Sequence, residues 1–167
     1  MPEGSRMIAN AVRQMLEGPA WHGPSVCEAI EGASADEAAS RVVPGVHTIF
    51  ELVHHMAAWA GEVERRFRGF APGEPPDGDF PPDGGEVTEE TWSAMRQRLT
   101  DRHTALMEAV RSFPGSRLDD QLGETLNAAL GTGFTFRQIA QGLIEHDAYH
   151  AGQIVLLRRA WAARRTG

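Results

Sequence analysis

Two histidines four residues apart, in the string His146-Asp147-Ala148-Tyr149-His150, are the residues of this chain best spaced to do chemistry. On a helix that turns about 100° per residue they lie about 40° apart, one turn above the other. Both fall on the line of Leu143, Ile154 and Leu157, so both imidazoles point toward a core. One core histidine can satisfy itself with a single acceptor. Two in one apolar stripe are costly to desolvate without a common partner, and a metal ion that takes one nitrogen from each removes that cost.

A metal held inside a helical bundle needs a further ligand from a facing helix. The pair His54-His55 offers one. His54 sits roughly 150° from the centre of its helix's apolar stripe and is expected to face solvent. His55 flanks the stripe beside Leu52 and Trp59, from which an imidazole can swing inward, so His55 is the expected third ligand. His103, between Leu99 and Leu106 on another buried stripe, reads as a fourth ligand, a rival third, or a core or interface histidine. Glu51, one turn before His55, and Asp147, beside His146, suit the second ring nitrogens of the ligands, which commonly donate to a carboxylate. Either is equally a solvated helix charge. His22 and His47 read as loop and helix-start residues.

Other chemistries fit these residues poorly. HDAYH departs from the HExxH of zinc peptidases by placing Asp147 where a glutamate activates water, and no further histidine or acidic ligand is found after His150. A carboxylate di-metal centre needs Glu-x-x-His on two helices, and that pattern is absent. Cys27 is the single cysteine, which forbids an internal disulfide and an all-thiolate zinc site. No glycine loop follows a strand to cradle a nucleotide. The terminal cluster Arg158, Arg159, Arg164 and Arg165 complements a helix C-terminus, or clamps an anionic substrate.

Four amphipathic stretches must position the histidines. The first runs from about Ser5, as cap, to Leu16, with Met7, Ala11 and Met15 on one side. A short helix is expected around Ala35 to Ser40. The second long helix starts past Pro44-Gly45 and reaches about Arg68, with Ile49, Leu52, Val53, Met56, Ala60, Val63 and Phe67 on one stripe. The third follows Thr88 and buries Trp92, Met95, Leu99, Leu106, Val110 and Phe113. The fourth runs from about Thr135 to Arg164 over Phe136, Ile139, Leu143, Ile154, Leu157 and Trp161. Asp119 to Leu130 is either a short helix or a β-like extension.

Four such helices hide their stripes against each other, which predicts an all-α four-helix bundle. Between the second and third, Gly and Pro supply 10 of the 17 residues from Gly69 to Gly85. A 22-residue helix is roughly 33 Å long, and 17 extended residues reach about 50 Å. That connection can travel the whole bundle, which favours an up-down-down-up order with a long crossover.

The chain has 167 residues, 41% hydrophobic and 23% charged, with a formal net charge of −7. This suits one globular domain over residues 1–167. All 16 basic residues are arginine, which excludes a catalytic or Schiff-base lysine. The acidic balance argues against nucleic acid as a partner, no window is apolar enough for a membrane span, and the cysteine usage suits the cytoplasm.

Two segments carry a family resemblance. His47 to Trp59, HTIFELVHHMAAW, and His146 to Ile154, HDAYHAGQI, resemble the second-helix and last-helix motifs of the DinB/YfiT-like family of bacterial four-helix metal-dependent proteins. The resemblance spans essentially the whole chain. It implies His55, His146 and His150 as the metal ligands, Gly152 as a site of close helix packing, and Gln153 as a support for the ligands. It aligns no ligand with His103. It further implies a divalent metal, zinc above nickel or iron, and a homodimer. The activity implied is transfer of a low-molecular-weight thiol such as bacillithiol, mycothiol or glutathione, or a thiol-dependent isomerisation. A non-catalytic metal-binding or stress-response module and a metal-dependent hydrolase are the alternatives. The substrate cavity is expected near the ligands, beside Trp59, Tyr149 and loop residues.

Overall fold

The computed structural model describes residues 3–82, 85–125, 127 and 129–166. Six α-helices make up the described fold: α1 Glu3–Glu17, α2 Val26–Ile30, α3 Ala35–Ala39, α4 Ile49–Phe67, α5 Glu89–Ser112 and α6 Phe136–Thr166. The starts of the central helices are written in their caps. Thr48 accepts from the Glu51 backbone N–H while the Glu51 carboxylate accepts from the Thr48 N–H, and Thr88 and Thr91 exchange bonds in the same way. The short α2, not expected above, has the same device in Ser25 and Glu28.

The predicted stripes of α4 and α5 are buried throughout. Phe50 meets Trp92 near the start of both helices, with ring centroids 6.3 Å apart. Gly61 and Arg102 face each other halfway along, where a Cβ on Gly61 would come within 3.2 Å of the arginine side chain. Phe67 and Phe113 meet at the far end, 5.0 Å apart, and Phe136 at the start of α6 packs on both. Three rings in one apolar cluster tie the ends of α4, α5 and α6 together, each burial worth about 1.5–3 kcal/mol. The Trp92 indole N–H donates to the Ala33 carbonyl at 2.7 Å, so the largest core residue also fixes the segment before α3.

Helix α1 departs from expectation. Ser5 lies inside the helix rather than at its cap, and its buried hydroxyl donates to the Phe113 carbonyl at 2.9 Å. Ala9, Val12, Met15 and Leu16 are buried, whereas Met7 is 63% exposed. The packed face runs through Ser5, Ala9, Val12, Met15 and Leu16, which leaves Met7 off it. After α5, a single 3-10 turn at Gly115–Arg117 leads into an extended stretch. There Gln121 bridges Thr135 and Asn127 bridges Thr132, so the described residues between Asp119 and Leu130 form turns, bends and isolated β-bridges and no helix.

The Pro/Gly-rich segment after α4 is pinned along its described length. Glu62 and Arg66, both 2% exposed, pair at 3.0 Å, and each also bonds the Gly73 backbone. Asp77 pairs with Arg98 and Arg102 of α5 at 2.6 and 2.7 Å. Asp79 accepts the Trp59 indole N–H at 2.7 Å. The segment thus lies against both helices, although no periodic structure runs through it. Among the described residues, no helix is long and apolar enough to cross a membrane.

Candidate metal centre

Helices α4 and α6 bring His55, His146 and His150 together, with one ring nitrogen of each within 4.8 Å of the others. His55 Nε2 lies 2.8 Å from His146 Nε2, which lies 3.1 Å from His150 Nε2. On the opposite side of each ring, Nδ1 faces oxygen. His55 Nδ1 is 2.8 Å from Asp79 Oδ1 and 3.1 Å from the Asp79 carbonyl. His146 Nδ1 is 2.8 Å from Asp147 Oδ1, and His150 Nδ1 is 2.6 Å from Gln153 Oε1.

These oxygens only accept, so each neutral imidazole carries its proton on Nδ1 and leaves Nε2 bare. Three lone pairs then converge, His146 Nε2 within hydrogen-bond distance of each of the other two, with no proton to share among them. A cation relieves that repulsion. Nitrogen neighbours on a tetrahedral zinc ion, with bonds of 2.0–2.1 Å, stand about 3.3 Å apart, close to the spacings of His146 to His55 and to His150. The donor set therefore fits a divalent metal, and the oxygen on each Nδ1 is the usual outer support of a ligating histidine.

Electrostatics favour neutral rings at His55 and His150. Burial, then repulsion from His146, holds His55 below the ordinary imidazole pKa, with Asp79 opposing. Burial takes His150 down to about 4, against the Gln153 hydrogen bond and with added repulsion from His146 and His55. Burial pushes the Asp147 carboxyl up, but hydrogen bonds from His103 and His146 and their charges outweigh it, so its pKa falls below the ordinary value.

A profile of the DinB superfamily matches residues 25–154, which include all three histidines. The chain belongs to the DinB superfamily. No curated protein and no solved structure matches it.

Around the cluster of this DinB-superfamily chain, several expected residues fall elsewhere. His54 is 5% exposed rather than solvent-facing. The Asp77-Gly78 backbone covers it, because the segment after α4 folds back over that flank. Burial and then Arg98 lower its pKa, against the raising effect of hydrogen bonding to the Gly78 and Asp77 backbone carbonyls. Glu51 does not support His55, because its carboxylate caps α4 and pairs with Arg41 and His47. His103 is fully buried, but Asp147 and the Leu99 carbonyl occupy its nitrogens at 2.8 Å each, and it is not part of the histidine cluster. Gly152 makes no close packing, since a Cβ there would meet nothing within 4 Å. Asp147 and Gln153 each accept from the Nδ1 of a ring of the cluster.

Asp79 and Phe80 were not anticipated. Phe80 stacks between His47 and His55, with centroids 3.8 and 4.5 Å away and planes within 7° of parallel. Their one sequence signal is Asp77-Gly78-Asp79-Phe80, an acidic and aromatic run enclosed by prolines. Beside the cluster opens a cleft of about 930 Å³, lined by His55, His146, Trp59, Val63, Phe134, Ile139 and Leu143 among others. Tyr149 is not in that lining. It is 65% exposed, and its hydroxyl accepts from the Gln153 amide at 3.1 Å.

Proposed function

We propose that this chain is a metal-dependent enzyme whose divalent ion is held by His55, His146 and His150. The observation that carries the reading is the convergence of three proton-free Nε2 atoms beside an apolar cleft, with no fourth protein donor grouped with them among the described residues. Three ligands and an open position are the pattern of catalytic rather than structural sites. An ion so held supplies Lewis acidity, lowering the pKa of a bound thiol or water and offering the anion to an electrophile.

The chain's own residues supply position and environment. Asp79, Asp147 and Gln153 hold the three rings with Nε2 inward. Trp59, Val63, Phe134, Ile139 and Leu143 exclude water and receive the carbon skeleton of a small electrophile. The reaction favoured is transfer of a low-molecular-weight thiol such as bacillithiol, mycothiol or glutathione, or an isomerisation that depends on one. Zinc is the expected ion, and nickel or iron also suit three imidazoles. Against a closed, non-catalytic site stands His103, the histidine that could have completed one, whose nitrogens are already engaged.

The same reading takes residues 1–167 as one domain in up-down-down-up order. The end-to-end pairing of Phe50 with Trp92 and Phe67 with Phe113 supports parallel α4 and α5 joined by a crossover. Meetings of Ser5 with Phe113 and of Phe67 with Phe136 support reversed α1 and α6. A cytoplasmic homodimer acting on a small molecule, free of nucleic acid and membrane, completes the proposal.

The first test is elemental analysis of untagged protein beside His55→Ala and His146→Ala. About one transition-metal ion per chain, lost in both variants, is expected. Folded protein that takes up neither zinc nor nickel overturns the reading. Turnover of esters or amides without any thiol, and none with a thiol and an electrophile, redirects it to a hydrolase.

A further inference from the structure

We propose that His103 is a positioning residue of the metal centre, acting through Asp147 on His146. The inference rests on the reading of His146 as a ligand. Asp147 follows that histidine on α6, turned about 100° away from it, into the interface with α5. Its side chain and that of His103 are both wholly buried, 44 residues apart in sequence. One carboxylate oxygen, Oδ1, takes the His146 Nδ1 proton at 2.8 Å, and the other, Oδ2, lies 2.8 Å from His103 Nε2. His103 Nδ1 in turn donates to the Leu99 carbonyl, one turn earlier on α5, at 2.8 Å.

Both His103 nitrogens face oxygen, so a proton lies on each line. The chain Leu99 carbonyl, His103, Asp147, His146 is therefore continuous, and each member fixes the orientation of the next. A carboxylate in a dry interior with only one partner is costly and free to pivot about its Cβ–Cγ bond. His103 removes that freedom by holding Oδ2, which leaves Oδ1 aimed at His146. The ligand's tautomer and ring plane are thus set from α5, a helix that contributes nothing to the histidine cluster itself. A core filler needs only volume at position 103, whereas this role needs a donor aimed at Asp147.

That distinction supplies the experiment. His103→Gln and His103→Met have unbranched side chains of similar length, and only the glutamine can donate to Asp147. In the metal-free protein, nitrogen-15 NMR of the histidine rings should show His146 as a single tautomer protonated on Nδ1 in the wild type and in His103→Gln, and as a mixture in His103→Met. Zinc affinity, read by competition with a chromophoric chelator, should fall about 10–100-fold in His103→Met and stay near wild type in His103→Gln.

A mixed His146 tautomer in the wild type overturns the proposal, and that measurement decides the matter even if His103→Met does not fold. A folded His103→Met that matches the wild type in tautomer and affinity also overturns it. Wild-type protein that binds no zinc but shows the expected tautomer pattern removes the metal reading and leaves His103 as the residue that orients His146.

Discussion

At the residue scale, the histidine cluster depends on what stands behind each ring. Asp79, Asp147 and Gln153 are three different acceptors, drawn from a loop, from the residue next to His146, and from one turn further along α6. Gln153→Leu removes the acceptor of His150 without touching an Nε2, and Asp79→Ala removes the carboxylate acceptor of His55, leaving it only the residue 79 carbonyl. Each should weaken zinc binding about 10–100-fold, measured by chelator competition, with the helical circular dichroism unchanged. The ligand-type histidines themselves were legible because a four-residue spacing on an apolar stripe is a local pattern. Asp79 was not, since its role depends on how an aperiodic segment returns to α4. His54 was misjudged for the same reason: angular position on one helix says nothing about what a distant loop lays over it.

At the scale of elements, α4 is the organiser. It carries His55, the Phe67 contact, the Thr48–Glu51 cap and the buried Glu62–Arg66 pair that fastens the start of the long connection. Removing one member of a buried pair leaves the other unpaired, so Glu62→Leu should cost about 3–5 kcal/mol in urea unfolding. Replacing both, as Glu62→Leu with Arg66→Met, should recover much of that loss. The four long helices were readable from their stripes because each buries one face for most of its length. Helix α1 shares only Met15 with its expected stripe, because its packed face begins at Ser5 and Ala9, neither of which stands out as hydrophobic. The capping box of α2, Ser25 to Glu28, was visible in the sequence, but a five-residue helix has too little periodicity to draw attention to it.

At the scale of the whole molecule, the buried rings couple folding to acidity. His150, held near a pKa of about 4 in the fold, stays neutral at values where the same residue in an unfolded chain, near 6.5, gains a proton. The unfolded chain therefore binds more protons across that window, and the metal-free protein should lose stability as pH falls from about 6.5 toward 4. His55 is shifted in the same direction and adds to the loss. Urea midpoints in a chelator at pH about 7 and about 5 measure it, and His150→Gln should flatten the dependence.

His55 and His146 are 91 positions apart, and the stretch between them holds the Pro/Gly-rich segment and the whole of α5. An ion shared by these residues would close a loop of that length and act as a reversible cross-link that chelators open. A single cut by a protease at the exposed Glu74 would leave two fragments, with His55 on one and both α6 histidines on the other. In dilute urea the nicked protein should elute as one species with zinc and as two with a chelator, so that the connectivity lost from the backbone is carried by the metal.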